Sequence, residues 1–339
     1  MARVRQGLLL PGAMALGLAV ALAGTIAPSR ADDTEFFKGR TLTWIVSTGP
    51  GGGHDFYARL LSRHMEKQLP GSTIIIKNVP GAGHIIGANM VYAAKPDGLT
   101  IGSFSTGLVY GQIVEMSGVQ FDLNKMSWVG KASSDPRVMM VSKKSGFKTL
   151  ADMQKSDRPI VFVSSGVGGG SYNEAHMVGR AFNFPYKVLS GYAGNDGHMS
   201  ILRGESDAAM DGAETSMALV DRGDAFLMLQ FGKEIPDVAD GKDFATTEEA
   251  KTISALLEAQ SVLARITSGP PDIPGPRLEA LRAAYRRTLE SEDLKADASK
   301  AKRSLKPLYG DDVAQLIRAS LAQPPEVVAL LKTLVTKLD

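Results

Sequence analysis

Three glycine-rich stretches are the residues of this chain best placed to do chemistry. They are Thr48-Gly49-Pro50-Gly51-Gly52-Gly53, Asn78-Val79-Pro80-Gly81-Ala82-Gly83 and Ser165-Gly166-Val167-Gly168-Gly169-Gly170-Ser171. Each lies between a run of strand character and a run of helix character. Glycine tolerates positive φ and lets backbone approach a ligand, so successive glycines can aim several N–H groups at one point. The helix that follows adds unpaired N–H donors and a partial positive charge. Such a loop binds a small anion with no Arg or Lys. A plain strand-to-helix turn has the same pattern, so one loop alone does not choose. Three loops on the same kind of sheet edge favour a small anionic ligand.

Elimination narrows the anion. Gly53-His54-Asp55 lacks the Gly-Lys-Ser/Thr ending of a phosphate-binding loop, which argues against a nucleoside triphosphate. Gly81-Ala82-Gly83-His84-Ile85-Ile86-Gly87 mimics a dinucleotide fingerprint. However, Pro80 sits in its turn, and no acidic residue ends a second strand about 20 positions on. A carboxylate needs only a few N–H or hydroxyl donors, and it is what remains. Ser105 and Thr106, after the third strand, are candidate contacts.

Catalytic arrangements are thin. There is no Gly-x-Ser-x-Gly elbow and no His-Glu-x-x-His. The five histidines are scattered without metal-ligand spacing, so neither metal nor cofactor is expected. His54 and His84 lie in or beside the loops and are candidate contacts, whereas His64 lies on a helix and is expected to be solvated. Asp211-Gly212-Ala213-Glu214 follows a short strand and either faces a cleft or makes an ordinary turn. Asp211 is kept as a candidate contact. Glu214 is not, since it would repel an anion at close range.

The elements around these loops alternate. Thr41–Ser47 and Ser72–Lys77 read as buried strands and Leu99–Phe104 as a third, separated by helices at 55–69 and 85–94. Asp55 is the expected N-cap of the first helix. This β-loop-α-β-loop-α-β order implies a parallel sheet with right-handed crossovers. The pattern returns more loosely with strands at 138–142, 159–164, 206–210, 226–231 and 261–266. The helices interspersed with these run at 149–155, 172–182 and 199–202. Four more helices follow, at 276–289, 291–302, 311–322 and 325–337. Trp44 and Trp128 are expected in the core.

Composition is that of a globular protein, with 44% hydrophobic and 22% charged residues over 339 positions. That length predicts about two domains. Zero Cys excludes a disulfide scaffold, a thiol nucleophile and a Cys zinc site. A net charge of +2 shows no nucleic-acid signature. Arg3 and Arg5, the apolar run Leu8–Ala27 and the small residues Ser29 and Ala31 have the parts of a secretory signal, residues 1–31. An uncleaved membrane anchor is the competing reading of that run. Cleavage after Ala31 would remove Arg3, Arg5 and Arg30, shifting the charge from +2 to −1. A periplasmic location is expected.

Certain motifs now carry a resemblance. Pro50-Gly51-Gly52-x-x-Asp55, Asn78-x-Pro80-Gly81-Ala82-Gly83-x-x-Ile86-Gly87 and Ala94-x-Pro96-Asp97-Gly98-x-Thr100-x-Gly102 resemble, in order and spacing, motifs of the Bug-type receptors of tripartite tricarboxylate transporters. The likeness continues through the third glycine loop, Arg203-Gly204-Glu205-Ser206-Asp207 and Gly269-Pro270-Pro271. It implies a type II periplasmic-binding-protein fold, with two α/β domains and a ligand cleft between them. Domain 1 would comprise 32–137 and the returning 226–339, and domain 2 would comprise 138–225, with crossings near Val138 and Phe226. The resemblance also implies a small organic acid held by backbone N–H groups of the first two loops, which puts the candidate contacts at Gly51, Gly52, Gly53, Ala82 and Gly83. Ser165, Gly168, Gly169 and Ser171 of the third loop would cap its other end, and an integral-membrane permease would be the partner. A monomer is expected. His84 stands where the family often has Gly, and Ser190-Gly191-Tyr192-Ala193-Gly194-Asn195 lacks a family Lys. Three functions stay open: transport receptor, receptor for a signalling system, and exported α/β enzyme.

Overall fold

The computed structural model describes residues 33–192 and 194–335; the expected signal, 1–31, lies outside them. The described chain builds two mixed sheets flanked by helices. The first sheet has the order β11-β4-β10-β3-β1-β2. Its strands are β1 (Thr41–Val46), β2 (Thr73–Asn78), β3 (Thr100–Phe104), β4 (Ser127–Lys131), β10 (Ile266–Gly269) and β11 (Leu308–Tyr309). The second has the order β7-β6-β8-β5-β9. It contains β5 (Arg137–Ser142), β6 (Ile160–Val163), β7 (Tyr186–Leu189), β8 (Ala208–Gly212) and β9 (Ala225–Phe231). Helices α1 (Gly53–Gln68), α2 (Ile85–Tyr92) and α3 (Gly107–Ile113) follow the first three strands. Helices α4 (Leu150–Gln154), α5 (Gly170–Ala181), α6 (Asp196–Arg203) and α7 (Ala213–Val220) belong to the second sheet's run. The chain then adds α8 (Glu248–Val262), α9 (Gly275–Glu290), α10 (Glu292–Lys300), α11 (Gly310–Leu321) and α12 (Pro325–Val335).

The parallel core of each sheet matches the alternating sequence pattern. β1 pairs in parallel with β2 and β3, and β6 with β7 and β8. Beyond these parallel cores both sheets are mixed. β10 runs antiparallel between β3 and β4, and β5 runs antiparallel between β8 and β9. Each antiparallel strand enters from a distant part of the chain, so no local repeat announces its direction. β2 is not a buried strand either. It is the sheet's edge, and Ile75 is 47% exposed. The strand expected at 261–266 is instead the end of α8 followed by a turn, and β10 starts at Ile266. Helix α8 was hidden by its polar face: Ser254, Gln260 and Ser261 are buried, and Ser261 donates to the Phe231 carbonyl at 3.1 Å.

Trp44 and Trp128 sit in the core as expected, each with its indole N–H engaged, by Ser103 Oγ at 2.8 Å and the Leu123 carbonyl at 3.0 Å. One core packs α1 residues Leu60, Leu61 and Met65 against α9 and α10 residues Leu281, Ala284 and Leu294. That cover corrects the reading of His64. It is buried, and its Nε2 lies 3.0 Å from Asp297 Oδ2. The face of α1 that looked solvated is closed by helices more than 200 residues later in the chain. The second sheet's core takes in Leu257 of α8 and Leu331 and Leu334 of α12.

Two segments carry the chain between the sheets and lie side by side. The stretch from β4 to β5 spans 132–136, and that from α8 to β10 spans 263–265. Ala132 donates to the Arg265 carbonyl at 3.1 Å, and Asp135 N–H donates to the Ser261 carbonyl at 3.0 Å. Phe226 lies inside β9, hydrogen-bonded to β5 in the second sheet.

Candidate functional site

The first glycine loop leaves β1 and enters α1 at Gly53, with Gly52 as N-cap. Asp55 is therefore one turn inside rather than capping. Its carboxylate accepts from Gly51 N–H at 3.0 Å and Asn78 Nδ2 at 2.9 Å, and Arg59 Nε donates to it at 3.0 Å. Asp55 thereby ties the first loop to the start of the second. Burial alone would push its carboxyl up, but the hydrogen bonds from Arg59, Gly51 and Asn78 outweigh that and hold it below the usual range. Gly53 has no room for a side chain. A Cβ there would lie 2.6 Å from Arg265 Nη2 and 2.9 Å from Thr215 Oγ1.

The second loop is strained. Ala82, Gly83 and His84 all have positive φ, at 42°, 57° and 82°, a cost that proteins concentrate at functional sites. The turn sends the His84 ring inward. Its Nδ1 lies 3.3 Å from Ser47 Oγ, and its ring centroid lies 5.9 Å from that of His54. Burial pushes His84 down to about 4. His54 also falls well below its ordinary value, through burial first and then the nearby Arg265, His84 and Arg137. Both rings are therefore neutral near pH 7.

The third loop caps α5 from the second sheet. Ser165 N–H donates to Ser171 Oγ at 3.2 Å, and Asn173 Nδ2 donates to the Gly168 carbonyl at 3.0 Å. Here the two walls meet. A Cβ on Gly83 would collide with the Gly169 nitrogen, one on Gly107 would fall 2.5 Å from Gly170 N, and one on Gly52 3.3 Å from Gly194 Cα. Glycine is needed at these contacts because two backbones touch with nothing between them.

Behind this seam lies a cavity of about 120 Å³. Gly52, Gly53, His54, His84 and Ser105 line it from the first wall, and Ser165, Ser171 and Asp211 from the second. The remaining candidates lie around it. Gly51, Ala82, Gly83, Gly168 and Gly169 form the surrounding loops and the seam. Thr106 is turned away, its hydroxyl donating to Gln260 Oε1 at 2.9 Å.

Sequence reasoning missed the arginines. Arg137 and Arg265 both line the cavity, so it is not built of backbone donors alone. Each is matched by a carboxylate. Arg137 Nε donates to Glu174 Oε2 at 3.1 Å, and Arg265 Nη2 donates to Asp135 Oδ2 at 2.6 Å. Burial raises both Asp135 and Glu174, and the arginines oppose it. Arg265 Nε and His54 Nδ1 are buried without a protein partner. A charged residue inside the apolar run Leu263-Ala264-Arg265-Ile266 was the available signal, because a buried charge needs a partner. His198 was also missed. Its Nε2 lies 3.3 Å from Asp211 Oδ2, beside the cavity. Asp211 is held low: burial pushes it up, and His198, Arg137 and Gly212 N–H together outweigh that.

Glu214 has a structural task. Its carboxylate accepts from Tyr57 Oη at 2.8 Å and from Ser304 N–H at 2.7 Å, joining α7 to α1 and to the segment after α10. Among the described residues no group of three or more His, Asp or Glu could hold a metal ion.

Two α/β lobes, their sheets joined by two adjacent crossings, face each other across a cavity lined by helix N-termini, the architecture of a two-lobed α/β fold with a cleft. A family model for the tripartite tricarboxylate transporter family receptor matches residues 57–225, and the chain belongs to that family. The Pseudomonas sp. (strain P51) protein in the tcbD-tcbE intergenic region is 34% identical over 44% of this chain. Protein BugT of Bordetella pertussis is 30% identical over 49% of it. The chain spans about half the length of these two relatives, 45% and 51%. Among solved structures, MatC from Rhodopseudomonas palustris with bound malate superposes with a TM-score of 0.71 at 22% identity, covering 85% of this chain and 99% of that one. The periplasmic binding protein BugD does so at 0.72 and 17%, covering 87% and 97%. These likenesses establish the fold.

Proposed function

We propose that this protein is an extracytoplasmic receptor that captures one small organic carboxylate in the cavity and delivers it to the membrane permease of a tripartite tricarboxylate-type transporter. The observation that carries this reading is the convergence of the N-termini of α1 and α5, from opposite lobes, on one small cavity. Two helix starts with glycine N-caps offer backbone N–H donors and partial positive charge from both sides. A bound carboxylate would bridge the lobes and hold the seam shut. The malate bound to MatC supports the ligand class. Residues 1–31, with the parts of a secretory signal, support export to the periplasm. We take the protein to act as a monomer and without covalent chemistry, since no nucleophile sits beside a base and its orienting carboxylate in the cavity. We take the crossings at 132–136 and 263–265 as the hinge and β5–β9 as the second domain, a reading that the hydrogen bonds between the two crossings support.

Thermal unfolding of purified protein with a panel of small organic acids tests the reading. At a hundred times Kd, a ligand stabilises the native state by about 2.7 kcal/mol. A clear rise in Tm with one acid is expected. A panel of mono-, di- and tricarboxylates that leaves Tm unmoved would sink the proposal.

A further inference from the structure

The cavity holds more charge than backbone recognition of a carboxylate requires. Arg137 spends Nε and Nη2 on Glu174, and Arg265 spends Nη2 on Asp135. Both acidic partners are 1% exposed, so each arginine carries its own matched countercharge. His54 and His84 are kept neutral by burial and supply no positive charge. That leaves Asp211. It lines the cavity at the end of β8, and its side chain remains 31% exposed. One oxygen accepts from the adjacent Gly212 N–H at 2.7 Å; the other faces His198 Nε2 at 3.3 Å. Both oxygens keep acceptor capacity, since an ionised carboxylate has about four lone-pair sites.

A plain dicarboxylate would bring a second negative group beside Asp211, in a cavity where a buried carboxylate matches each arginine's charge even though Arg265 Nε keeps a free donor, and like charges in a partly desolvated space repel. A positively charged nitrogen would find in Asp211 an ionised acceptor with spare capacity, and charge-assisted bonds of that kind are the strong ones. We propose that Asp211, oriented by His198, receives a protonated nitrogen of the ligand. The preferred solute is then a small zwitterionic acid, with its carboxylate on the N-termini of α1 and α5 and its ammonium on Asp211. This inference rests on the carboxylate-receptor reading and adds a second recognition point to it.

Calorimetric titration with matched acids tests it: succinate against aspartate, and glutarate against glutamate. In the unmodified protein at least one amino member should bind ten times or more tightly than its plain partner. Asp211→Asn should cut that ratio at least tenfold, by weakening the amino member and, with the negative charge gone, tightening the plain acid. His198→Gln, which removes the orienting partner but keeps the charge, should lower the ratio less. Plain acids binding as tightly as amino acids would overturn the inference and leave the receptor reading standing. So would an unchanged ratio in Asp211→Asn. Binding of none of the four, in a protein that also ignores a wider acid panel, would sink both. If Asp211→Asn does not fold, the ratio in the unmodified protein decides.

Discussion

Gly83 shows how much a single residue can decide. Its φ of 57° favours glycine, and its missing side chain lets Gly169 approach from the opposite lobe. Gly83→Ala should raise Kd for the bound acid at least tenfold, because the added carbon strikes backbone that cannot swing away. The positive φ should cost only about 1 kcal/mol in stability. Titration and urea unfolding of the same variant separate the two effects, and an unchanged Kd would mean the lobes do not need this contact. His84 makes a second prediction. Its folded value of about 4 lies below the unfolded value of about 6.5. Between those values the unfolded chain binds more protons, so stability falls as pH drops through that window. His84→Asn keeps a residue that tolerates positive φ and removes the titrating ring. Its stability should therefore depend less on pH between 6.5 and 4, a slope that unfolding at stepped pH reads directly.

At the scale of elements, the loops are held by side chains rather than by regular hydrogen bonding. Asp55, at 4% exposure, gathers bonds from the first loop, the end of β2 and its own helix. Asp55→Ala should destabilise the fold by about 1–3 kcal/mol, the cost of leaving buried donors unmatched. It should also weaken ligand binding by loosening Gly51 and Gly52. A loss of stability with unaltered affinity would show that the loop keeps its shape without this brace.

For the whole molecule, the question is what balances open and shut arrangements of the lobes. Glu214 reaches from α7 to Tyr57 on α1 and to Ser304, and Arg303 Nη1 donates to its backbone carbonyl at 2.8 Å. These bonds span the two lobes beside the hinge. Glu214→Gln removes the charge that strengthens these bonds, because an amide accepts at its oxygen alone and carries no charge. It should shift the ligand-free protein toward an opened form and weaken binding by about tenfold. Small-angle scattering with and without ligand would show a larger contraction on binding than in the unmodified protein. An identical contraction and Kd would mean that Glu214 only holds the shut lobes together locally.

The sequence by itself determined the parts governed by near neighbours. Alternating strand and helix patterns, the glycine loops that break them, the buried tryptophans and the family motifs from Pro50 to Gly102 are all local signals. They were sufficient for the fold class and for the loops around the cavity. Tertiary structure alone decided what distant segments bring to the site. Arg265 and His198 enter the cavity from segments more than a hundred residues beyond the first loop. His64 is buried by helices that return after 275, and β5 and β10 run against their neighbours because the chain crosses between lobes before each. The physical reason is the same in every case. A backbone turn carries its requirement for glycine in its own few residues, whereas the partner of a buried charge can stand anywhere along the chain.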